Sequence, residues 1–141
     1  MSGKIFLDTN ILIYAHDADS GDKHIIAKNI VKELWDKKNG VLSTQVLQEF
    51  YVNVTKKIPR PVAPIEAREI IRAYSSWEIR DNSIMSVIRA SEIEEKYKLS
   101  FWDSLIVVAA YSAKVEKILT EDLNEGQVIE GILIENPFKT R

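Results

Sequence analysis

The sequence predicts an α/β protein, a three-layer sandwich with a central, mostly parallel sheet of about five short strands flanked by helices. Three observations carry that expectation. Ile5-Phe6-Leu7, Val41-Leu42 and Ile118-Leu119 are short apolar runs without alternation, as strands buried on both faces require. Longer segments between them carry apolar residues at helical spacing. Two of the runs are followed by carboxylates, Asp8 and Glu121-Asp122, and parallel strands place their carboxyl ends along one edge of a sheet. At 141 residues the chain is expected to form one domain over 1–141, able to bury roughly two thirds of its unfolded surface.

The first strand, Ile5-Phe6-Leu7, stops at Asp8, and Thr9-Asn10 start a helix through Ile11, Leu12 and Ile13. Asp17 to Asp22 read as a loop with solvated acids. Ile26, Ala27, Ile30, Val31 and Leu34 define the next helix, with Gly40 placed to end it and Trp35 expected to pack. After Val41-Leu42, Ser43 or Thr44 caps a helix bearing Val46, Leu47, Phe50, Tyr51 and Val54 on one face. Glu49 lies on the edge of that face.

Ile58 to Pro64 holds three of the four prolines and makes a stiff connection, with Pro64 opening another helix. Its cluster Ile70, Ile71, Tyr74 and Trp77 is apolar enough to suggest a face covered by something outside the monomer, although core packing fits it equally well. Trp77-Glu78-Ile79 is at most a very short strand. Asp81 or Asn82 is expected to cap a helix with Ile84, Val87, Ile88 and Ser91 in register. Leu99 to Tyr111 is apolar almost all round and so central, and Asp103 enters with it. Ile118-Leu119 is followed by Thr120-Glu121-Asp122. Val128 and Ile132-Leu133-Ile134 supply a last edge strand, and Lys139-Thr140-Arg141 form a tail.

Asp8, Glu49, Asp103 and Asp122 would thus be brought to one crevice. Each has an ordinary alternative: Asp8 as a helix cap, Glu49 as a boundary glutamate, Asp103 as a cap in competition with Ser100, Asp122 as a surface turn residue. Together they would repel one another unless a divalent ion intervenes. The chain has no cysteine and only His16 and His24, so the chemistry is oxygen-based, suited to Mg2+ or Mn2+, and the natural substrate of such a site is a phosphate ester. Absent cysteine also excludes disulfides and thiolate zinc sites. A formal charge of −2 without a basic tail argues against indiscriminate nucleic-acid binding. With no leader-like segment and no run long enough to span a membrane, a soluble cytoplasmic protein is expected.

Leu7-Asp8-Thr9-Asn10-Ile11-Leu12, Gln48-Glu49-Phe50, Phe101-Trp102-Asp103-Ser104-Leu105-Ile106 and Leu119 to Gln127, in this order and spacing, resemble the PIN-domain ribonucleases, in particular the VapC-type toxins of bacterial and archaeal toxin–antitoxin pairs. The resemblance covers nearly the whole chain. It implies a PIN-like sheet, magnesium- or manganese-dependent cleavage of single-stranded RNA, homodimerisation and inhibition by a cognate antitoxin. By position it implies Asp8, Glu49, Asp103 and Asp122 as catalytic metal ligands, with Thr9, Asn10 and Thr120 supporting them. Glu125 stands where the family often has histidine. Lys56, Lys57 and Arg60, at the end of the Glu49 helix, are candidate RNA phosphate contacts.

Two further readings stay open within the family: a housekeeping RNA-processing nuclease and a non-catalytic PIN-like binding module. An aspartyl-phosphate phosphatase would want a second acid at position 10, where the chain has Asn10.

Overall fold

The structure, a computed structural model, describes residues 3–139. In chain order the elements are β1 (Ile5–Leu7), α1 (Thr9–His16), a one-turn 3-10 helix (Ala18–Ser20), α2 (Asp22–Lys37), β2 (Gly40–Ser43), α3 (Thr44–Lys56), α4 (Pro64–Tyr74), β3 (Glu78–Arg80), α5 (Ile84–Tyr97), α6 (Phe101–Ser112), β4 (Lys117–Leu119), β5 (Val128–Ile129) and β6 (Ile132–Glu135). Thr140 and Arg141 of the expected tail lie outside the described residues.

The strands form one sheet in the order β3-β2-β1-β4-β6-β5, parallel throughout except for the β5–β6 pair. This is the expected α/β sandwich. From β1 the chain steps outward through β2 and β3, then returns to place β4 on the other side of β1. The point where strand order reverses therefore lies between β1 and β4, and in open α/β sheets a ligand crevice forms beyond the strand ends there. Leu7 pairs with Leu119 in register, and the Asp8 amide donates to Leu119 O at 3.0 Å, so the residues after these two strands stand side by side.

The central strands read as they do because both faces are covered. Phe6, Leu7, Val41, Leu42 and Ile118 are buried, each contributing roughly 1.5–3 kcal/mol through burial. α1 packs against α2 and α3, and α5 against α6. No helix among the described residues is long and apolar enough to cross a membrane.

Several local expectations need correcting. Gly40 does not end α2: Lys38 adopts the left-handed conformation (φ 57°) and its N–H reaches Leu34 O and Trp35 O. Gly40 lies inside β2, where Trp77 packs so closely that a Cβ would stand 2.4 Å from the indole. Ser83, not Asp81 or Asn82, caps α5, in a reciprocal capping box with Ser86. The final strand is not a single edge: β5 turns back on β6, giving six strands, with β6 inside the sheet and β5 at its rim. On α5 the buried residues are Ala90 and Ile93, whereas Ile84, Val87 and Ile88 are exposed. Conversely, Tyr74 is buried and the half-buried Ile70, Ile71 and Trp77 pack against the core, so core packing accounts for most of the apolar cluster on α4 and its near end. Trp35 packs on Tyr74 and Trp77, as expected.

Candidate active site

β1 delivers Asp8 to the sheet edge, where its side chain caps α1 by accepting the Thr9 N–H at 2.7 Å. Its other oxygen accepts the Thr120 hydroxyl at 2.8 Å. Asp8 is therefore both a cap and a member of the acidic group. Thr120, fully buried after β4, also takes the Asp122 N–H at 3.1 Å, which fixes the turn bearing Asp122. From the start of α1, the Thr9 hydroxyl donates to Glu49 Oε1 at 2.5 Å and Asn10 Nδ2 donates to Asp122 Oδ2 at 3.0 Å. Thr9, Asn10 and Thr120 thus hold three of the four acids.

Ser43 caps α3 through the Val46 N–H, and this register turns Glu49 toward the edge. Ser100 caps α6 by accepting the Asp103 N–H at 3.0 Å, so Asp103 is not the cap and its carboxylate is free of that duty. Among the described residues the Asp103 carboxylate has no hydrogen-bond or ion-pair partner, and no ion pair reaches any of the four acids. Asp8, Glu49, Asp103 and Asp122 all line one cavity of about 500 Å³, together with Thr9, Asn10, Gln45, Gln48, Val52, Asn53, Lys57, Trp102 and Ile106.

The electrostatics follow from this placement. Burial pushes the Asp8 carboxyl up to about 6, against the lowering pull of the Thr120 and Thr9 hydrogen bonds and with a further push from Asp122 and Asp103. Asp122 is raised too, by burial first and then by Asp103, Glu121 and Glu49. The site thus destabilises its own negative charge, and among the described residues no ion pair to the four acids relieves it.

A divalent ion fits this donor set: hard carboxylate oxygens with amide carbonyls at hand and no histidine or thiolate in the lining. Among the described residues no three His, Cys, Asp or Glu side chains stand close enough to grip one ion together. The fit is to an ion that keeps much of its water, as magnesium does when bound through one or two carboxylates.

A PIN domain model matches residues 5–127. The chain belongs to the PIN-domain family. Ribonuclease VapC2 of Methanocaldococcus jannaschii is 31% identical over 127 residues, spanning 84% of this chain and 85% of that protein. A toxin-antitoxin complex from Klebsiella pneumoniae is similar at a TM-score of 0.70 and 23% identity, covering 97% of this chain and 100% of that one. VapC20 from Mycobacterium tuberculosis, described as a Sarcin-Ricin loop cleaving toxin, is similar at a TM-score of 0.65 and 19% identity, covering 84% and 90%. These structural likenesses show a shared fold.

In this PIN domain the basic residues expected near RNA divide. Lys57 lines the acidic cavity, Lys56 is exposed outside it, and Arg60 is held by Asp19, with Nε and Nη2 at 2.9 and 2.5 Å from its oxygens. Glu125 faces away, accepting the Asn136 N–H. Glu121 is bound by the Tyr14 hydroxyl and by Lys23 at 2.8 Å, which anchors the turn beside Asp122. The sequence reading missed Gln45, Gln48, Asn53, Val52, Trp102 and Ile106 as lining residues. Gln48 and Trp102 immediately precede Glu49 and Asp103, and Asn53 follows Glu49 by one helical turn, so proximity to the acids was the available signal.

Proposed function

We propose that this PIN domain is a Mg2+- or Mn2+-dependent endoribonuclease, the toxin of a toxin–antitoxin pair acting in the cytoplasm. The observation that supports this most directly is the set of four carboxylates on one cavity, none of them in an ion pair among the described residues. Asp8, Asp103, Asp122 and Glu49 would hold the ion between them, in part through the water it keeps, and its contribution when bound is to polarise a phosphoryl oxygen and lower the pKa of a water. Thr120, Thr9 and Asn10 orient Asp8, Glu49 and Asp122, each through one carboxylate oxygen. Asp103, without another partner, is available to orient the attacking water. A new P–O bond then forms as the bond to the departing oxygen breaks. Single-stranded RNA is the proposed substrate, with Lys57 at a flanking phosphate.

The antitoxin reading is supported by an apolar groove of Thr44, Leu47, Tyr51 and Ile71 that shares Gln48 and Val52 with the acidic cavity. An inhibitor with apolar anchors for the groove and an Arg or Lys directed at the acids would occupy both and compete with the metal. Homodimerisation is part of the same reading. The exposed apolar residues of α5, Ile84, Met85, Val87 and Ile88, offer its surface in place of α4.

The test incubates purified protein with total RNA and manganese and maps the new ends, beside Asp8→Asn, Asp103→Asn and Asp122→Asn. Each variant should lose cleavage by orders of magnitude. Three variants that cut like the parent would remove the mechanism. A small upstream reading frame whose product suppresses cleavage supports the toxin role over RNA processing.

A further inference from the structure

Trp102 is 63% exposed, immediately before Asp103 in the first turn of α6, and lines the same cavity as the four acids. Its position is held from two sides. Gln45, itself buried, donates an Nε2 hydrogen to the Trp102 carbonyl at 3.2 Å, and the Phe101 ring meets the indole edge-on, with 81° between the planes and centroids 5.4 Å apart. Leu105 and Ile106, one turn on, are buried, so the helix spends its inner face on the core and presents its largest side chain to the cavity rim.

The charge balance gives that indole a task. RNA approaching Asp8, Glu49, Asp103 and Asp122 meets like charge, and Lys57 is the single cationic residue among those lining the cavity. Phosphate contacts alone are then a poor source of affinity. Base stacking on an aromatic ring does not depend on net charge and tolerates any base, but it needs a base released from its own helix.

We propose that Trp102 is the stacking platform for a nucleobase beside the scissile phosphate, making unpaired structure at that nucleotide a requirement of the site. This deepens the nuclease reading and rests on it. Gln45 acts as a positioning residue for the platform. Trp35 and Trp77 take no part, since both pack with Tyr74 away from the acids.

The experiment measures steady-state cleavage of an unstructured single-stranded RNA oligonucleotide by the parent, Trp102→Ala and Trp102→Phe. KM should rise roughly 5- to 100-fold in Trp102→Ala, as loss of one stacked base implies, with kcat within about threefold. Trp102→Phe should recover most of the loss. In an Asp8→Asn background the same RNA should quench tryptophan fluorescence, and adding Trp102→Phe should abolish the quench. An unchanged KM in Trp102→Ala, a Trp102→Phe variant no better than alanine, or a quench that survives in the double variant overturns the proposal while leaving the nuclease reading intact. A parent that cuts no RNA with either metal overturns both.

Discussion

The Thr120 hydroxyl donates to Asp8 Oδ2 at 2.8 Å, joining the ends of two neighbouring parallel strands across 112 positions of sequence. Thr120→Val keeps the shape and removes both this bond and the one to the Asp122 N–H. Cleavage should fall about 10- to 100-fold, as for loss of a group that orients a ligand, with stability lower by about 1–2 kcal/mol. Because the lost bond is one that lowers the Asp8 pKa, the acid limb of the pH–rate profile should also move upward. An unchanged profile would mean that Thr120 is only a spacer.

Asp8 and His16 oppose one another in acid. Asp8 rises from 3.8 to about 6 on folding, so its cost is absent below about pH 4 and complete above about pH 6, where it reaches roughly 3 kcal/mol without metal. His16, half-buried against Phe50 and Tyr74, drops from 6.5 to about 4, so the stability linked to it is complete above 6.5 and lost as pH falls toward 4. The two largely cancel between pH 4 and 6.5. Asp8→Asn retains a capping side chain and leaves only the His16 contribution. Its metal-free melting temperature should therefore climb over that range, exceeding the parent's at pH 7; parallel curves for the two proteins would refute the assignment.

Gly40→Ala tests the contact behind β2. Its Cβ would stand 2.4 Å from Trp77 Cζ3, and the indole is wedged between Trp35 and Tyr74. A loss of about 1–3 kcal/mol is expected, read as a lower melting temperature, with little effect on cleavage because the strand starts lie away from the site.

Ile88→Glu on α5 should shift a dimer toward monomer by light scattering without lowering the melting temperature of the monomer, since Ile88 is 48% exposed. An Ile71→Glu variant should instead lower the melting temperature, because that half-buried residue packs against the core.

The acids were legible because apolar runs too short for anything but buried strands announced where the sheet edge lies, and Asp8 and Thr120-Asp122 follow two of them. Glu49 and Asp103 were legible from helical phase. What sequence could not give was competition between equivalent donors. Lys38 takes the left-handed cap although Gly40 is two residues on, because Trp77, distant in sequence, claims the space over Gly40. On α5, four large apolar residues outweigh Ala90 and Ile93 by size, yet the tight approach of α6 selects the alanine face. Arg60 looked free until Asp19, 41 residues away, came within reach. Trp102 sits in a helix apolar almost all round, and only the cavity shows which way it faces.

The insertion of β4 beside β1 also sets a schedule during synthesis. A growing chain presents Asp8, Glu49 and Asp103 before Asp122, and parallel strands cannot pair until the helices between them have been made. Until Lys117–Leu119 docks, Thr120 is absent from Asp8 and the turn that carries Asp122 has no anchor. A chain that has not yet docked β4 therefore lacks the complete acidic cluster, however far the rest of the fold has advanced.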